Sequence, residues 1–178
     1  MITCILFFGC SKEQTYFSRD GLYSVSVSDS QFTDYTQTAQ TIVDQELPQT
    51  NAQLVTLLLS KEQNKQLIYG LSLPLSQSVD ETTSIIHLTK IIEKELKNNP
   101  AILEYSIQTN PKKSQLQFTA TNRLGKISTH ESCLLTLTKS HIINICARLQ
   151  NAKSNKDAAQ LIKNIKVTIK KQPDHLQK

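Results

Sequence analysis

Tyr23, Val25 and Val27 alternate with Ser24 and Ser26, a period of two that marks a strand with one buried face. Tyr16 and Phe17 lie just ahead, across Arg19-Asp20-Gly21, so the pattern predicts two short strands around a turn. The apolar run at 54–59 reads as a central strand, 61–65 as a polar turn, and 67–73 as a second strand ended by Pro74. Between these blocks Ala39, Ile42, Val43 and Leu47 suggest a short helix that stops before Pro48.

The period then changes. Ile85, Leu88, Ile92 and Leu96 recur at helical spacing, with Ile86 widening the stripe, and predict a helix over 79–97. Ser78 and Glu81 have the spacing of a capping box at its start, and Asn98-Asn99-Pro100 ends it. Strands at 102–108, 115–122, 126–138 and 141–149 follow as a meander, with turns at Asn110-Pro111 and around Gly125. A last helix over 155–166 has Ser154 as its cap and Ala158, Leu161, Ile162 and Ile165 on one face. Helices packed on an antiparallel β-sheet define an α+β fold, and nothing in the pattern splits it into two domains.

The last two strands can be put in register. If Lys139-Ser140 is a two-residue turn, Thr138 faces His141, Leu137 faces Ile142, Leu134 faces Ile145 and Glu131 faces Arg148. Cys133 then faces Cys146, at a pair not joined by backbone hydrogen bonds, where side chains stand closest and a disulfide is within reach. Such a bond forms and persists only in an oxidising compartment; in the cytosol both would stay small buried thiols.

The N-terminus bears on that compartment. Residues 2–8 are almost all apolar, Gly9 is small, and the chain turns polar after Cys10. A run this short cannot span a bilayer, but it fits the end of a signal peptide. Leu6 with Gly9-Cys10-Ser11 resembles the lipobox of bacterial lipoproteins, in which a small residue precedes an acylated cysteine. The resemblance implies that 1–9, with Cys4, is a signal peptide, and that 10–15 is a tether lipidated on Cys10. It also implies a domain facing the periplasm, with Ser11 favouring the outer membrane. The other reading, a first strand of a cytoplasmic protein with Cys10 buried, stays open.

Charge adds one feature. The 178-residue chain carries a net +5, and residues 153–178 account for it with seven lysines against two aspartates. Lys163, Lys166, Lys170 and Lys171 are the candidate contacts to an anionic surface; a solvated helix face with a basic tail at 169–178 is the plainer account. No aromatic residue and no Arg accompanies these lysines, so nucleic acid is not expected as a partner.

Three passages are similar to the PsbP-like superfamily, which includes bacterial DcrB-like proteins. They are FSRDGLYSVSV from Phe17 to Val27, the amphipathic helix over 79–97 placed before the meander, and the close at 141–148 with its helix and Ile165-Lys166-Val167. The resemblance spans about 16–168. It implies an α/β/α sandwich and a binding or assembly role, usually without catalysis.

Catalytic and metal signatures are missing from the sequence. His87, His130, His141 and His175 make no HxxxH pattern, there is no CxxC or GxSxG, and four glycines are few for a phosphate-cradling loop. His130 and Cys133 fall on opposite faces of a strand by alternation. The expectation is a non-catalytic envelope lipoprotein, without metal or cofactor, that binds or scaffolds another envelope or secretion-system protein. A cytoplasmic chaperone-like adaptor for secreted effectors, or an envelope inhibitor or immunity protein, are the alternatives.

Overall fold

The fold is that of a computed structural model, described over residues 13–27, 32–38, 41, 53–60, 66–125, 127–150, 155–164 and 166–169. The elements are β1 (Gln14–Phe17), β2 (Tyr23–Val27), β3 (Phe32–Asp34), β4 (Gln53–Ser60) and β5 (Gln66–Pro74). Helix α1 (Glu81–Asn98), β6 (Ile102–Asn110), a 3-10 turn (Pro111–Lys113) and β7 (Gln115–Leu124) follow. The chain closes with β8 (Ile127–Leu137), β9 (His141–Gln150), α2 (Asn155–Asn164) and β10 (Lys166–Ile169). It is α+β with antiparallel sheets, as the pattern predicts, but the strands form two sheets. One is β1-β2-β10, the other β3-β4-β5-β9-β8-β7-β6.

The small sheet forms because β2 buries Tyr23, Val25 and Val27 while its serines face away. Its edges are closed by β1 and by β10, which pairs Val167 with Val25. Gly21, at φ +69°, supplies the left-handed turn between β1 and β2, and the Asp20 carboxylate accepts the Leu22 N–H at 3.0 Å. One core lies between the sheets, where Tyr23, Val25 and Phe32 meet Leu58, Ile68, Ile143, Ile145 and Ala147, with Ile162 of α2. Each large apolar side chain buried there contributes about 1.5–3 kcal/mol.

On the other face of the large sheet α1 packs Ile85, Leu88 and Ile92 onto Leu116, Leu135, Leu137, Ile107 and Ile142. The large sheet is thus covered by the small sheet and α2 on one side and by α1 on the other.

Several expectations shift. The cap of α1 is Asp80, whose carboxylate accepts the Thr83 N–H at 2.8 Å; Ser78 and Glu81 form no capping box. Asp80 wins because it stands next to the first helical residue, where its oxygen reaches a free amide. Helix α2 ends at Asn164 rather than 166, because β10 begins at Lys166. Strand β1 begins at Gln14, inside the tether expected at 10–15, and β10 runs to Ile169, the first residue of the expected tail. The helix suggested by Ala39, Ile42, Val43 and Leu47 falls outside the described residues.

Candidate functional site

The site is built on the hairpin of β8 and β9. Thr138 N–H donates to the His141 carbonyl at 2.9 Å, and the pairs Leu137–Ile142, Leu134–Ile145, Cys133–Cys146 and Glu131–Arg148 follow in order. Neither Lys139 nor Ser140 has positive φ. The turn is held instead by its neighbours. The Thr138 hydroxyl accepts the His141 N–H at 2.9 Å, and the Ser140 and Lys139 carbonyls accept the N–H groups of Leu75 and Val79. That clasp replaces the glycine or asparagine a free two-residue turn prefers.

Cys133 and Cys146 are joined in a disulfide with Cα atoms 4.0 Å apart, and each residue is buried. On the same face, two residues along each strand, Arg148 Nη2 donates to both oxygens of Glu131 at 3.2 and 3.3 Å. The third member is Tyr69 of β5, which lies opposite Cys146 across the β5–β9 pairing. Its hydroxyl donates to Glu131 Oε1, and the Arg148 guanidinium sits 5.6 Å from its ring centroid, in cation–π range. Arg148 closes a triangle: it neutralises the carboxylate that the phenol hydrogen-bonds and covers the phenol ring.

Burial, then the nearby Glu131 carboxylate, pushes the Tyr69 hydroxyl above its ordinary pKa of 10.0, so it stays a proton donor. Both Glu131 oxygens are engaged, one by Tyr69 and Arg148, the other by Arg148 alone. The triangle therefore satisfies the buried carboxylate. Its remaining capacity is on Arg148, whose side chain is 40% exposed, whereas that of Glu131 is 9% exposed. Among the described residues, Arg148 Nε is buried without a hydrogen-bond partner, as is Asn144 Oδ1 four residues away along β9. The chemistry this offers is charge-assisted recognition of a polar group.

Glu131, Cys133 and Cys146 also bring a carboxylate oxygen and two sulfurs within 4.8 Å of one another. With the sulfurs bonded to each other, neither is the thiolate a metal would bind. His130 lies on the opposite face of β8, within 3.2 Å of the Thr121 hydroxyl, and His141 is paired with Ser140 at 2.9 Å.

Lys163 is exposed on α2, and Lys166 opens β10. Cys10, Lys170 and Lys171 lie outside the described residues. The sequence register finds Cys133, Cys146, Glu131 and Arg148. It misses Tyr69, because β5 reaches β9 only after α1 and three strands intervene. Among the described residues no helix is long and apolar enough to cross a membrane.

No protein-family model matches the chain, and no curated protein is similar to it in sequence. Solved structures are similar in fold. A protein of Bacteroides thetaiotaomicron matches 89% of this chain at 11% identity and TM-score 0.50, and the chain spans about half (49%) of that structure's length. LpqN, involved in cell envelope biogenesis of Mycobacterium tuberculosis, matches over 88% of this chain and 91% of its own, at 12% identity and TM-score 0.46. A Mog1 mutant matches over 86% and 84%, at 12% identity and TM-score 0.45. At these identities the likeness is one of fold.

Proposed function

We propose that the chain is a non-catalytic binding domain of the bacterial cell envelope, with the PsbP-like fold, tethered through a lipid on Cys10. It holds another envelope or secretion-system protein. One observation carries the reading: the buried Cys133–Cys146 disulfide at the middle of the β8–β9 pairing. A bond of this kind persists where thiols are oxidised, and the lipobox-like Gly9-Cys10-Ser11 supplies a route to such a compartment. The Tyr69–Glu131–Arg148 triangle adds a rigid cation partly open to solvent, suited to a carboxylate or carbonyl on the partner.

Intact-mass analysis of the protein from membrane fractions tests the tether. The expected species begins at Cys10 and carries added acyl mass. A soluble chain that keeps Met1 would overturn the reading. Arg148→Ala is expected to weaken capture of the envelope partner without releasing the protein from the membrane.

A further inference from the structure

Among the described strands, β6 is the long edge of the large sheet. Its register fixes which backbone groups are unpaired. Because Thr138 and His141 form a hydrogen-bonded pair, the even positions of β8 bond to β9 and its odd positions bond to β7. The facing even positions of β7 therefore point to β8, and its odd positions, 115 to 121, point to β6. Through the β6–β7 register these meet Asn110, Gln108, Ser106 and Glu104. Tyr105, Ile107 and Thr109 are left with N–H and C=O groups aimed away from the sheet, and no described strand pairs with them.

Edges of this length are normally blunted by lysine, proline or a short strand. The opposite edge, β3, is only three residues long. By contrast β6 runs nine residues, ILEYSIQTN, without Lys or Pro and with Glu104 as its one charge. Ser106, Gln108 and Asn110 are exposed, whereas Tyr105, Ile107 and Thr109 alternate with them as half-buried positions on the α1 side.

We propose that β6 pairs antiparallel with β6 of a second copy, about a two-fold axis through Ser106, joining two large sheets into one. The strand is its own complement in this register. Tyr105 meets Ile107 of the second copy twice, an aromatic on a β-branched residue. Glu104 meets Gln108 twice, a carboxylate on an amide, and Ser106 meets Ser106. Moving the axis to Glu104 would set two carboxylates opposite each other, so charge selects against that register.

The apolar surface agrees. Leu103, at the β6 bulge, is 59% exposed and Ile86 of α1 is 44% exposed. In this pairing Leu103 comes opposite Thr109 of the second copy. The Thr109 hydroxyl is 2.9 Å from that of Thr89, one helical turn from Ile86. Both exposed side chains are thereby brought to the same seam.

Sedimentation equilibrium of the full chain, with three variants at solvent-facing positions of β6, tests this. The wild type is expected to dimerise. Ser106→Lys places two ammonium groups on the axis and is expected to weaken the dimer about tenfold or more. Gln108→Lys pairs with Glu104 of the second copy and is expected to tighten it. Ser106→Cys is expected to give, under mild oxidation, a dimer whose cross-linked peptides join the two introduced thiols. Circular dichroism confirms that each variant is folded. A wild-type monomer at all concentrations, a dimer indifferent to Ser106→Lys, or β6 pairing only with an extended peptide of another protein would each overturn the proposal.

Discussion

Gly70 of the large sheet lies against the Tyr23 side chain of the small one. A Cβ added there would overlap the Tyr23 hydroxyl, which is buried beside Thr56. Gly70→Ala is expected to destabilise the fold by about 1–3 kcal/mol through overpacking. Adding Tyr23→Phe removes the clashing oxygen and should recover part of the loss, so a double-mutant cycle by urea denaturation reads the contact directly. At the triangle, Arg148→Met strands the Glu131 carboxylate in a buried site and is expected to cost about 3 kcal/mol. Tyr69→Phe, which leaves the ion pair in place, is expected to cost about 1 kcal/mol. Equal losses from the two would argue against Arg148 as the group that makes Glu131 tolerable.

Helix α1 carries the cleanest test at the scale of elements. Asp80→Ala removes the group that caps Thr83 and is expected to cost about 1 kcal/mol in thermal unfolding, while Ser78→Ala should be near neutral. The opposite ranking would restore the capping box that the sequence suggests. Ser78 and Asp80 are both good caps by residue type, so which of them stands next to the first helical residue was not legible beforehand. The β8–β9 hairpin was legible, because alternation, opposite charges and the cysteine spacing all agree on one register. The division into two sheets was not. Strand β10 is four residues long and pairs with β2 across nearly the whole chain, and no periodicity records that partner. Tyr69 was hidden for the same reason: its place opposite Cys146 is a property of the sheet order, not of the sequence around it.

For the whole molecule, burial raises the hydroxyl pKa of Tyr23 and Tyr69, and burial with Asp34 raises that of Tyr16, all from an ordinary 10.0. The unfolded chain therefore releases these protons first as pH rises. Their stabilising contribution is whole below about pH 10 and is lost as pH climbs through the folded-state values. Chemical denaturation between about pH 8 and 11 is expected to show stability falling from about pH 10 upward, and a flat profile would contradict it. Removing the disulfide with paired Cys133→Ala and Cys146→Ala substitutions opens a bond that spans a sequence separation of 13. The expected loss is about 3 kcal/mol. The proposed envelope role depends most heavily on that bond existing where the protein works. Alkylation of envelope-purified protein without reductant, followed by peptide mapping, tests this directly. Cys133 and Cys146 should be recovered as one linked pair, labelled only after reduction. Two freely alkylated thiols at those positions would contradict the account.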